Sequence, residues 1–120
     1  MRAEMLTSIL TGLNGSSVDI ESSALISIDG LMIAAVLPQG MDEDRVGAMS
    51  AAMLSLGNRT AQELARGKLE QVLVKGDKGY VLMMQAGEDV VLTVLARPQS
   101  KLGLIFKDVK RAVVSISELV

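Results

Sequence analysis

The stretch Val46-Gly47-Ala48-Met49-Ser50-Ala51-Ala52-Met53-Leu54-Ser55-Leu56-Gly57-Asn58 runs for thirteen positions without a charged side chain, inside what reads as one long helix. A helix on a protein surface ordinarily keeps a charged face toward water, so this one is expected to be covered on more than one side. Asp42 stands where a side-chain oxygen accepts hydrogen bonds from the first amides of a helix, and Glu43 and Asp44 follow in its first turn. Arg66-Gly67 places a cation and a residue free to turn left-handed at the other end. The helix is therefore expected from about Glu43 to Arg66. At about 100° per residue, Val46, Met49, Met53, Thr60 and Leu64 share a stripe flanked by Leu54 and Leu56, the side expected to rest on a sheet.

The reverse side carries Ala48, Ala51, Ser55 and Asn58, small or uncharged residues that let another backbone approach without burying a charge. A second copy of the same helix about a two-fold axis is the simplest occupant, because one self-complementary patch then suffices. A homodimer is expected on this ground. The alternative is a helix buried inside a monomer, but the other two helices of the chain are needed on the opposite face of the sheet. Gly47 and Gly57 each cost about 1 kcal/mol relative to alanine in a helix, and tight packing is a reason to keep them.

On the N-terminal side, Met5, Leu6, Ile9, Leu10 and Leu13 recur at helical spacing from Arg2 to Leu13, with a stop expected at Asn14-Gly15. Ser22 to Ile28 and Leu31 to Leu37 are strand-length runs about Asp29-Gly30, read as a two-residue hairpin turn, and Pro38 ends the second. On the C-terminal side, Leu69 to Lys75, Gly79 to Ala86 and Val90 to Ala96 read as a meander of three strands. Met83-Met84 and Val90-Val91-Leu92 make both faces of the sheet apolar, so helices are expected on both. Leu102, Ile105, Val109, Val113, Ile116 and Val120 mark the buried stripe of a last helix, capped by Ser100. The order α-β-β-α-β-β-β-α fills residues 1–120 as a single α/β (α+β) domain.

Leu69 to Lys75 carries charge toward both ends, as an edge strand does. Two readings stand side by side: the strand pairs with its mate across the dimer, or Lys68, Glu70 and Lys75 protect a free edge.

Composition narrows the function. The chain has 120 residues, 12 Lys and Arg against 14 Asp and Glu, and a net charge of −2. That leaves no positive field for nucleic acid. Cysteine and histidine are both absent, which excludes a Ser-His-Asp triad and a zinc site and fits a cytoplasmic location. No carboxylate, lysine or hydroxyl pairs into a catalytic constellation, so no enzyme and no cofactor are expected. One Tyr and one Phe cannot build an aromatic cage, which counts against a small-molecule sensor. The longest uninterrupted apolar run, Leu31 to Leu37, is far below a membrane span, and no targeting segment is read. Gly76-Asp77-Lys78-Gly79 has the glycine spacing of an RNA-clamping loop but joins two strands, where that motif needs helices; a hairpin turn is expected. Asp42, Glu43 and Asp44 could gather a cation, although a helix start alone explains them. Arg45, Arg59 and Arg66 could serve a phosphoryl-transfer enzyme in trans, yet most helix arginines are simply solvated.

The segment Leu25-Ile26-Ser27-Ile28-Asp29-Gly30-Leu31-Met32-Ile33-Ala34, the small-residue helix from Met49 to Leu64, and Gln71-Val72-Leu73-Val74 followed by Gly79-Tyr80-Val81-Leu82 resemble the roadblock family over nearly the whole chain. Leu69-Glu70-Gln71-Val72-Leu73-Val74 and Lys101-Leu102-Gly103-Leu104-Ile105 look like its bacterial members. The resemblance implies a roadblock/profilin-like fold, a five-stranded antiparallel sheet with one helix on one face and two on the other. It also implies a homodimer through the middle helix and third strand, giving a ten-stranded sheet. The contact then falls on Ala48, Ala51, Ala52, Ser55, Asn58, Arg59 and Gln62 of the helix and on Leu69, Gln71, Val72, Leu73 and Val74 of the strand. By the same resemblance the chain is a non-enzymatic regulator or adaptor of a Ras-like small GTPase, or alternatively a structural scaffold indifferent to nucleotide.

Overall fold

The computed structural model describes residues 2–120; Met1, counted in the expected domain, lies outside the described residues. The elements are α1 (Arg2–Ser16), β1 (Ile20–Ser27), β2 (Met32–Val36), α2 (Glu43–Glu63), β3 (Val72–Gly76), β4 (Gly79–Gln85), β5 (Val90–Ala96) and α3 (Leu102–Ser117). The five strands form one antiparallel sheet in the order β2-β1-β5-β4-β3. The two hairpins thus meet through β1 and β5, and β2 and β3 become the edges. β2 lies within Gly30 to Gly40, a segment without any charged residue.

Alternation along the strands divides the core between two faces. On one, Leu25, Leu82, Met84, Leu92 and Val94 meet Leu6, Leu10 and Leu13 of α1 and Ile105, Val109, Ala112 and Ile116 of α3. On the other, Val91 and Met83 meet Leu54 of α2, with Met53, Leu69, Val72 and Val81 packed around them. The expected layering of one helix against two is the observed one.

Several boundaries moved for local reasons. α1 continues through Asn14-Gly15, because the Asn14 side chain is tied to the sheet: its amide donates to the Val36 carbonyl at 3.3 Å and its oxygen accepts from Ser23 Oγ at 2.7 Å. The β1–β2 connection spans Ile28 to Leu31 rather than two residues, with Gly30 left-handed at φ 91° and a register shift at Leu25/Ile26. α2 stops at Glu63, short of Arg66-Gly67, because Ala65 already turns left-handed at φ 56°. β3 begins at Val72, so Leu69 to Gln71 approach it as coil. Ser100 does not cap α3: its hydroxyl donates backward to the Arg97 carbonyl, and Lys101 holds the cap position.

Candidate functional site

Asp42 caps α2 as its sequence position implies, its Oδ1 accepting from the amides of Asp44 at 3.0 Å and Arg45 at 3.3 Å. These bonds account for Asp42, and Glu43 and Asp44 lie in the first turn, at the positive end of the helix dipole; among the described residues no group of three or more metal-ligating side chains exists. Gly76 and Gly79 close the β3–β4 hairpin as a registered pair, the hairpin turn expected there.

The phase of α2 differs from the one inferred from its large apolar residues. The line that touches the rest of the protomer is Gly47, Ser50, Leu54 and Gly57. A Cβ on Gly47 would strike the Gly30 carbonyl, the Ser50 hydroxyl accepts from Thr93 Oγ1 at 2.8 Å, and a Cβ on Gly57 would lie 2.9 Å from Val72 Cγ2. Small residues face the sheet because the helix rides close to it. Met49, Leu56 and Leu64, expected on the sheet, are instead exposed by 53%, 58% and 65%. Val46 and Met53 are half-buried and Thr60 is exposed.

Of the residues expected at an interface, Ala48, Ala52, Ser55, Arg59 and Gln62 are exposed and Ala51 and Asn58 are half-buried. Arg59 pairs with Glu63 at 3.4 Å on the helix surface. Leu73 and Val74 are exposed on the edge strand, Val72 is half-buried beneath Gly57, and Leu69 and Gln71 lie half-buried outside the strand. The structure thus brings an uncharged stretch of α2 and Val74 of the strand edge to the same face of the sheet, while Leu73, in register with Leu82, lies on the face of α1 and α3. Sequence reasoning missed Met49, Leu56 and Leu64 as surface residues, and their signal was the same charge gap read with a different helical phase.

Cross-strand register shows how much of this face α2 covers. Ala35, Ala24, Thr93, Met83 and Val72 make one row across all five strands, and α2 lies along it through Ser50 to Thr93 and Gly57 to Val72. The next row, Ser22, Leu95, Val81 and Val74, is not roofed by the helix. It floors an apolar cleft of about 420 Å³, bordered by Pro38 and Met41 from the β2–α2 connection. The Ser22 hydroxyl in its wall is buried and has no hydrogen-bond partner.

Residues 8–96 match the Roadblock/LC7 domain. The chain belongs to the Roadblock/LC7 family. It is 39% identical over 115 residues to the uncharacterized protein MJ1340 of Methanocaldococcus jannaschii, covering 96% of this chain and 99% of that protein. Among solved structures it resembles a Roadblock/LC7 domain from Streptomyces avermitilis with a TM-score of 0.86 at 23% identity, covering 92% of each chain. It resembles Myxococcus xanthus MglB with a TM-score of 0.89 at 19% identity, covering 98% of this chain and 92% of that one. At those identities the likeness describes the fold. In this roadblock domain the element order and the placement of one helix against two are those that the sequence resemblance implied. No described helix of the domain is long and apolar enough to cross a membrane.

Proposed function

We propose that this roadblock domain is a homodimeric, non-enzymatic protein-binding module that regulates or adapts a Ras-like small GTPase. The observation that carries the reading is the joint exposure of Met49, Leu56 and Leu64 on α2 and of Val74, which faces the α2 side of the edge strand β3. Exposed apolar side chains clustered on one face of a domain favour a protein partner. Membership of a family of regulators and adaptors supports the absence of chemistry. The GTPase rests on the same kinship and on the fold shared with MglB. Binding would shift the population of the GTPase's switch conformations rather than supply a reacting group.

Light scattering tests the first half: a homodimer has about twice the 12.7 kDa chain mass. A pull-down with a Ras-like GTPase encoded nearby, loaded with GDP or with a non-hydrolysable GTP analogue, tests the second. Preference for one nucleotide state supports regulation. Equal capture of both removes it and leaves the scaffold reading.

A further inference from the structure

Ser22, Ser23, Ser50 and Thr93 are the buried polar side chains among the described residues. Three of them are partnered: Ser23 Oγ donates to Asn14 Oδ1 at 2.7 Å, and Thr93 Oγ1 donates to Ser50 Oγ at 2.8 Å. The Ser22 hydroxyl has no partner, although alanine or valine would occupy the same strand position without leaving a buried polar group unpaired.

A bulge aims that hydroxyl. Register slips by one residue between Ile20, opposite Ala96, and Ser22, opposite Leu95, so Glu21 is the extra residue. Residues two apart on a strand ordinarily share a face. Here Ile20 joins the core beneath α1 and α3, whereas Ser22 falls in the row of Leu95, Val81 and Val74 on the other face and lines the cleft.

The cleft's chemistry restricts what it can hold. Its volume of about 420 Å³ is that of a small-molecule pocket. The row crosses four strands, three spacings of about 4.8 Å, which gives a length of roughly 14 Å. The floor is aliphatic, with Pro38 and Met41 at the border. Tyr80 is the one aromatic residue at its margin, and the Lys75 ammonium already lies 5.9 Å from the centre of that ring, so no cage for a cation exists. Glu21, Asp77 and Lys78 bring two acids and one base to the rim, which disfavours an anionic head group. Anions suit the cleft beside Phe106 better, where Arg66, Lys68 and Lys110 converge.

We infer that the cleft binds a neutral, largely aliphatic small molecule whose single oxygen-bearing group pairs with the Ser22 hydroxyl while its chain lies along Leu95, Val81 and Val74. A hydroxyl both donates and accepts, so an alcohol or a ketone meets the requirement. The Ser22 oxygen is closed off from water, and Met41 is the part of the border able to yield. Its side chain is unbranched and 39% exposed, and it follows Gly40, which is left-handed at φ 90° with open space around it. The inference goes beyond the proposed function and does not rest on the homodimer, because Ser22 lies on β1, three strands in from the β3 edge.

Octanol and octanone are the probes, and octanoate is the charged comparator. Methyl NMR spectra of the full chain titrated with either probe should show saturable shifts gathered at Met41, Val74, Val81 and Leu95. Shifts gathered instead around Ile9 and Leu119, which line a separate apolar hollow beside α1, overturn the inference, as does the absence of saturable shifts up to the solubility of the probes. Ser22→Ala should weaken both probes by about threefold to tenfold, the loss of one net hydrogen bond, with an unchanged circular dichroism spectrum. Equal affinity for the wild-type and Ser22→Ala chains overturns the pairing with the hydroxyl. Octanoate bound more tightly than octanol overturns the neutral class.

Discussion

Thr93 Oγ1 donates to Ser50 Oγ at 2.8 Å, joining the centre of α2 to the middle of the sheet through two side chains that are both buried. It is a polar peg in an apolar seam and holds the helix at one rotation. Ser50→Ala leaves the Thr93 hydroxyl buried without its partner and should cost about 1–3 kcal/mol. Ser50→Ala with Thr93→Val removes both polar groups and should cost less than the single change. Urea denaturation of the three proteins measures the difference.

Ser22 gives the opposite sign from the same residue type. Its hydroxyl is buried in the cleft wall without a partner. Ser22→Ala therefore loses no hydrogen bond and should leave stability unchanged or raise it by up to about 1 kcal/mol. A fall in the unfolding midpoint as large as that of Ser50→Ala would show that the hydroxyl is bonded in solution.

Two helix glycines should respond oppositely to alanine. Gly47 faces the backbone of Gly30, where a methyl group has no room, whereas Gly12 in α1 has nothing within 4 Å. Gly12→Ala should gain about 0.5–1 kcal/mol from helix propensity. Gly47→Ala should lose roughly 1–3 kcal/mol, because overpacking outweighs the same gain. Thermal unfolding would separate them by several degrees, and a stabilised Gly47→Ala would mean that α2 stands farther from the hairpin than the structure has it.

Association predicts a concentration-dependent melting temperature, since whatever binds only the folded chain stabilises it by mass action. Leu56→Glu should remove that dependence and halve the mass seen by light scattering. Ser55→Glu, one residue away on the small-residue side, should retain both. A dimer broken by Ser55→Glu and not by Leu56→Glu would return the contact to the side first read from the sequence.

The elements of the fold were legible because each carries its own local signal: a capping Asp42, glycines at turns, and runs of strand length between them. The phase of α2 was not. A wheel weighted by side-chain size turns the bulkiest stripe inward and points Met49 and Leu56 at the sheet. The actual contact line uses Gly47, Ser50, Leu54 and Gly57, since a helix pressed against a hairpin and an edge strand needs short side chains there. Glycine in a helix is the sequence trace of that closeness. The end of α2 was misplaced for a comparable reason: Ala65 adopts a conformation that Gly67 takes at lower cost. The cleft was invisible because it arises from register, which brings Ser22, Leu95, Val81 and Val74 together from four separate strands.

The position of β2 at the free edge has a consequence for growth. In the proposed homodimer, a sheet joined at β3 would still end on both sides in β2, and nothing in Gly30 to Gly40 supplies the charge that usually deters one edge from adding to another. Pairing there would link dimers end to end with no stopping point, into a ribbon rather than a particle. Restraint falls to the brevity of the strand, five residues ending just before Leu37-Pro38. The reach of that open edge is thus set by length, and a change that lets the strand run on past Pro38 would extend it.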